Sequence, residues 1–257
     1  MGKKRDNQRA IRVPTDLRRD LVKLIEENTG AYTTYDVFRG FLEMVAISIS
    51  NSVDIANREE REKEYMRIVG KYSEGQVNRM AEAFGLLVGI FDSEPFDDVL
   101  GKLYMEFELG NSGTGQFFTP YHLCQLIAQI QVVDLDAQLE KGFITVNEPA
   151  CGAGAMIVAL AEVMTNKGYN PQTQMHVVAQ DIDIRAVHMA YIQLSLLGIP
   201  AVIYHGDTIA MEFRSAWRTP FHIIGGWEWK LKGKLPPGEV ITGLAELLTA
   251  ETNPFVD

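Results

Sequence analysis

From Gly110 onward the chain alternates short apolar runs with helical patterns, and this alternation restricts the fold more than any other feature of the sequence. Residues 143–147, 175–179, 201–204 and 221–224 read as strands, with helical patterns over 153–166 and 185–197 between the first three. Parallel neighbours need a long crossover, which a helix supplies, so the pattern implies an α/β fold with a parallel, doubly wound sheet. Before Gly110 the pattern is helical only. Leu17, Leu21, Leu24 and Ile25 follow the candidate cap Thr15-Asp16, and Asn28-Thr29-Gly30 ends that helix. A second pattern runs from Thr34 to about Ile68, apolar first and then charged from Asn57 to Arg67. Residues 73–91 and 96–107 make two more helices, parted by Ser93-Glu94-Pro95. The chain therefore divides into a helical region, 1–109, and an α/β region, 110–257, joined at the glycine-rich stretch Gly110 to Gly115.

Composition narrows the class. With 46% apolar and 23% charged residues among 257, the sequence has the means to bury a core. It contains no apolar run of membrane-spanning length and no apolar stretch behind its charged start, so neither a span nor a secretory leader is expected. Cys124 and Cys151 have no metal-ligand spacing, and a reducing cytoplasm is the expected setting. Residues 1–23 hold eight Lys and Arg against three acids, while the whole chain carries −10. The acidic body is a poor nonspecific binder of nucleic acid, so a basic arm or a partner would supply most of any attraction to DNA.

In such sheets ligands bind at the carboxyl ends of the strands. The first strand leads into Asn147-Glu148-Pro149-Ala150-Cys151-Gly152-Ala153-Gly154, where glycines let the backbone approach a ligand. The turn lacks the three-glycine dinucleotide pattern and the Walker lysine, which argues against a phosphate cradle. The second strand ends at Gln180-Asp181-Ile182-Asp183; a carboxylate at that tip can accept both hydroxyls of a ribose. The third ends at His205-Gly206-Asp207, a further acceptor suited to an exocyclic amine, although Gly206-Asp207 alone also reads as a plain turn.

These segments, together with Asp98-Val99-Leu100-Gly101-Lys102-Leu103-Tyr104 and Gly115-Gln116-Phe117-Phe118-Thr119-Pro120, appear in an order that resembles the adenine-N6 DNA methyltransferases. The closest resemblance is to the modification subunits of type I restriction–modification systems. It implies a truncated Rossmann-like S-adenosyl-L-methionine-dependent methyltransferase sheet preceded by helices. It implies that Phe118, Thr119 and Pro120 lie beside the methionine end of that cofactor. Glu148, Pro149, Cys151, Gly152 and Gly154 would form the loop beneath it, Asp181 and Ile182 would meet the ribose, and Asp207 the adenine ring. Phe117 and Phe118 also read as core aromatics, and Glu148 stands where the family usually has Asp.

The family's catalytic motif, Asn-Pro-Pro followed by an aromatic residue, is expected straight after the fourth strand. There the sequence has Gly225-Gly226-Trp227-Glu228, and its Asn-Pro pairs, at 170–171 and 253–254, stand elsewhere. The motif matters because adenine's N6 lone pair is delocalised into the ring, and oriented acceptors for the amine hydrogens favour a more nucleophilic geometry. Its aromatic residue stacks on the flipped base. Trp227 or Trp229 and Glu228 offer a stacking surface and an acceptor, although tryptophans after a buried strand also read as packing residues.

The expectation is therefore a cytoplasmic cofactor-binding protein that does not methylate DNA unaided. Two alternatives stand beside it: an active N6-adenine or other amine methyltransferase with a divergent site, and a non-catalytic module of a restriction–modification or anti-restriction complex. The module would dock through a helical face such as Val37, Phe41 and Val45, which also reads as core. DNA, a specificity or restriction subunit, and self-association are the expected partners. A sheet ending at its fourth strand leaves an edge for the tail, with its helical pattern at 240–249, or for another copy to cover.

Overall fold

A computed structural model describes residues 14–108, 118–132 and 134–233 of the chain. The basic segment before Pro14, the glycine-rich stretch with Phe117, and the helical pattern at 240–249 lie outside the described residues. Among the described residues seven α-helices come first: α1 (Pro14–Glu26), α2 (Thr34–Val53), α3 (Arg58–Val69), α4 (Glu74–Ser93), α5 (Val99–Glu108), α6 (Tyr121–Gln131) and the single turn α7 (Leu135–Gln138). The sheet region follows as β1 (Ile144–Glu148), α8 (Ala155–Asn166), α9 (Pro171–Gln174), β2 (Met175–Asp181), α10 (Ile184–Leu196), β3 (Ala201–Asp207) and β4 (Glu212–Arg218). Two short helices, α11 (Pro220–Ile224) and α12 (Trp227–Lys230), come last among the described residues.

Local chemistry sets these boundaries. Thr33 with Asp36, and Ser73 with Gln76, form capping boxes at the starts of α2 and α4. α1 begins at Pro14, ahead of the expected cap Thr15-Asp16, because proline's fixed φ suits a first helical turn. The single helix expected from Thr34 to Ile68 is two helices. The Asp54 carboxylate accepts from Asn57 Nδ2 at 2.9 Å and Arg61 Nη1 at 2.8 Å, which folds the chain back at a 3-10 turn.

The sheet runs β1-β2-β3-β4, with β1, β2 and β3 parallel and β4 antiparallel to β3. Both crossovers step the same way across the sheet, so right-handed connections bring α8 and α10 to one face. Met175, Val177, Ala179, Ala201 and Ile203 point into that face and are fully buried. α10 is covered in turn by α2 and α5, so helices and sheet share one core that includes Val37, Phe41, Val45, Leu100 and Tyr191. The Val37, Phe41 and Val45 face is thus interior.

The chain end of the sheet differs from the expectation. Residues 221–224 are helical, not a fourth parallel strand: Pro220 occupies the first turn of α11 behind the extended residue Thr219. The fourth strand is instead β4, which returns from β3 through a short turn. It lies on the β3 edge, and among the described residues nothing pairs with the outer edge of β1.

Candidate functional site

The turn after β1 is shaped by two positive-φ glycines. Gly152 has φ +54°, and a Cβ there would sit 2.9 Å from Cδ1 of Phe118, so the bare backbone lies against that ring. Gly154 has φ +95° and precedes α8; a Cβ there would meet Ala190 of α10 at 3.4 Å. Gly154 thus allows α8 and α10 to approach, while Gly152 keeps the turn open toward Phe118. The Cys151 N–H donates to the Gln180 carbonyl at 2.9 Å, anchoring the turn to β2. Burial raises the Cys151 thiol above its ordinary range, aided by the nearby carboxylates of Asp181 and Glu148, which leaves a protonated, inert thiol. Burial also raises the half-buried Glu148 carboxyl, which accepts from the Ala150 N–H at 3.4 Å.

The β2 tip meets this turn directly. Asp181 Oδ2 accepts the Gly152 N–H at 2.8 Å and Oδ1 accepts the Asp183 N–H at 2.9 Å. A carboxylate has about four acceptor positions, so two remain for outside donors. Ile182 beside it is 54% exposed, an apolar surface at the tip. Asp183 caps α10 and pairs with Arg185, the reading expected of a helix cap.

The β3 tip is a hairpin. Asp207 Oδ1 accepts the N–H groups of Ile209 and Ala210, so the plain-turn reading holds for that oxygen. A bulge falls at His205/Gly206, and Gly206 lies so close to the Glu212 carbonyl that no side chain fits. The hairpin is tied to the glycine turn through Thr208 Oγ1, which donates to the Pro149 carbonyl at 2.6 Å. The three tips expected to converge are thereby linked: 152 to 181 directly, and 149 to 208.

Phe118 forms a wall common to the glycine turn and a cleft of about 610 Å³. Thr119 and Pro120 line the cleft with Asp98, Lys102 and Tyr121, and both are exposed. The volume suits a small molecule. Behind it, Gln193 of α10 holds the floor: Nε2 donates to Asp98 Oδ1 at 3.0 Å and to the Ala153 carbonyl at 2.7 Å, while Oε1 accepts the Leu100 N–H at 3.1 Å. Burial pushes the Asp98 carboxyl up. Gln193 and Thr208 were not among the expected site residues. The signal for Gln193 is a lone amide between the apolar residues Ile192 and Leu194.

Gly225, Gly226, Trp227 and Glu228 do not join these residues. Gly226 starts α12, and Trp227 is buried against Phe143 at 5.0 Å and His176 at 5.2 Å between ring centroids. His176 is the second residue of β2 and Asp181 the last, so the segment lies at the amino ends of the strands, about 17 Å from the tips at the usual rise per residue. The expected slot rested on reading 221–224 as a strand; as a helix, it turns the chain beneath the sheet. Trp227 takes the packing role, and Glu228 is exposed and pairs with Lys232 at 3.0 Å.

Residues 96–225, half of the chain, match the family described as N-6 DNA Methylase. Among solved structures, the fold is similar to a protein described as a class I S-adenosylmethionine-dependent methyltransferase from Listeria monocytogenes. The TM-score is 0.44 at 14% identity, over 77% of this chain and 55% of that one. It is also similar to a type I restriction-modification system methyltransferase subunit from Streptococcus thermophilus, with TM-score 0.46 and 13% identity over 79% of this chain and 61% of that one. The chain spans less than two thirds of the length of either. No curated protein matches it. Among the described residues no helix is long and apolar enough to cross a membrane.

Proposed function

The chain belongs to the N-6 DNA methylase family, and from that premise we propose that it binds S-adenosylmethionine at the β1–β2 tips without methylating DNA by itself. The observation that carries this reading is the junction of Gly152 with Asp181, walled by Phe118, within the span matched to the family. The fit is chemical. Asp181 keeps acceptor positions for the ribose hydroxyls, Ile182 offers an apolar surface to the nucleoside, and the half-buried Gly152 backbone, bare of a Cβ, can lie against the methionine part. Thr119 and Pro120, on the shared Phe118 wall, would flank that end. Asp207 contributes through the oxygen its own turn does not use.

Methyl transfer needs acceptors for the N6 hydrogens and a surface for the flipped base. The Asn-Pro-Pro-aromatic motif that provides them in the family is missing from the sequence, and Trp227 and Glu228 are too far from the tips to replace it. The chain therefore acts as the cofactor-holding part of a larger methylation or restriction–modification assembly, with DNA reached through partners.

Calorimetric titration of S-adenosylmethionine, run beside transfer of a labelled methyl group to unmethylated DNA, tests the proposal. Binding without labelling is the expected result. Labelling by the chain alone overturns the loss of activity, and absence of binding overturns the cofactor site.

A further inference from the structure

α5 begins on a cap shared between two distant segments. Asp98 stands immediately before the helix, and its Oδ1 accepts the Gly101 N–H at 3.0 Å. The carboxylate lies so close to the helix backbone that a Cβ on Gly101 would overlap it. The Leu100 N–H, another first-turn donor without a partner inside the helix, is taken by Gln193 Oε1 at 3.1 Å. Gln193 comes from α10, 93 positions further along the chain.

The other end of the same amide reaches the glycine turn. Gln193 Nε2 donates to Asp98 Oδ1 at 3.0 Å and to the Ala153 carbonyl at 2.7 Å. Ala153 lies between Gly152 and Gly154, so its carbonyl anchors the turn to α10, as the Gly152 N–H anchors it to Asp181. Ala190, three positions before Gln193, is the residue against which Gly154 packs. On the other side, α5 carries Tyr104, whose ring centroid lies 5.3 Å from that of Phe118. The turn and the wall that faces it are therefore both referred to one side chain.

The chemistry of that side chain is specific. Gln193 is fully buried, and both of its amide hydrogens and its oxygen are engaged. An apolar residue would strand a backbone N–H and a backbone carbonyl and take a donor from a buried carboxylate. An ionised carboxylate in its place would offer no donor and would oppose Asp98.

We infer that Gln193 is a positioning residue of the cofactor site: by tying Ala153 to Asp98 and Leu100, it sets the gap between the glycine turn and the Phe118 wall. Its effect on S-adenosylmethionine affinity rests on the cofactor reading above; its hold on the turn does not.

Amide NMR spectra of the full chain, with calorimetric titration of S-adenosylmethionine, test both parts. Gln193→Met, close to glutamine in size, should move the Leu100 and Gly152 amide resonances and raise the Kd by roughly tenfold or more. Arg61→Met is the control for lost stability alone. It acts through Trp217, which meets His188 and Tyr191 on the face of α10 opposite Ala190 and Gln193. That variant should lower the denaturation midpoint and leave the Gly152 resonance and the Kd in place. Asp98→Ala gives a second reading that leaves Gln193 intact: it should displace the Gly152 resonance, and Asp98→Asn, which keeps an acceptor, should return it toward the parent position. A Gly152 resonance unmoved by Gln193→Met or by Asp98→Ala overturns the inference. A parent chain that binds the cofactor and a Gln193→Met chain of equal Kd overturn it while leaving the cofactor site standing, whereas a parent chain that binds none overturns that site and the affinity effect together.

Discussion

The Gly152 N–H donates to Oδ2 of Asp181 at 2.8 Å, so the turn after one strand is held by the carboxylate at the tip of the next. Replacing Asp181 with Ala removes this bond and the acceptors available to a ribose. A hydrogen bond to a charged group contributes about 1.5–3 kcal/mol. Titration calorimetry should therefore show the cofactor's Kd rising by roughly tenfold or more, and a Kd equal to the parent's removes Asp181 from the site.

Gly152→Ala places a Cβ at a left-handed φ of +54° and 2.9 Å from the Phe118 ring. The left-handed conformation alone costs roughly 1–2 kcal/mol in a residue with a side chain. Urea denaturation should show a lower midpoint. Trimming the ring in a Gly152→Ala, Phe118→Leu double variant should relieve the contact without removing the backbone penalty.

Arg61 joins the helical region to the sheet. Its guanidinium lies 4.3 Å above the Trp217 ring centroid and donates to the Ala216 carbonyl and Asp54 Oδ2, both at 2.8 Å, and also to Ser50 Oγ. Arg61→Met leaves the buried Asp54 carboxylate without its cation. Breaking one side of a buried ion pair costs about 3–5 kcal/mol, and equilibrium denaturation should register a loss of that size.

At the foot of the sheet His176 Nε2 lies 2.9 Å from His222 Nδ1. Burial lowers His176 to about 4, with His222 adding to the effect. Burial, then the charge of Arg218, lowers His222 to about 4 as well. The unfolded chain, with ordinary imidazoles near 6.5, binds more protons than the folded one between these values. Stability is therefore full above pH 6.5 and falls as pH drops toward 4. Denaturant midpoints across that window should trace the decline, and a His176→Gln, His222→Gln double variant should show a shallower slope.

Glu228→Ala tests the location of the segment 225–228. The side chain is exposed, lies at the amino ends of the strands and pairs only with Lys232 among the described residues. The substitution should change stability by no more than about 0.5 kcal/mol and leave cofactor affinity unaltered. A marked loss of binding contradicts the distance between this segment and the tips.

The sequence made the helical first half and three parallel strands legible because their signals are local: periodic apolar residues, the helix stop at Asn28-Thr29-Gly30, and glycines where strands turn into helices. The segment after β3 was not legible in the same way. Residues 221–224 are apolar and short enough for a strand, and only Pro220 behind Thr219 marks the first turn of a helix. β4 was hidden for the opposite reason, since Glu212, Arg214 and Ser215 face solvent and leave only Trp217 buried. At the site, Gly152 and Asp181 stood out through residue type and position. Thr208 and Gln193 act through contacts 59 and 40 positions away in sequence, which no local pattern encodes.

The Thr208–Pro149 bond gives the hairpin a mechanical role. Ile209 is 97% exposed and Met211 is held at φ +57°, so the loop reaches into solvent while one hydroxyl fastens its root to the carbonyl two residues before Cys151. The stitch thereby couples the position of the exposed loop to that of the glycine turn through a single hydrogen bond.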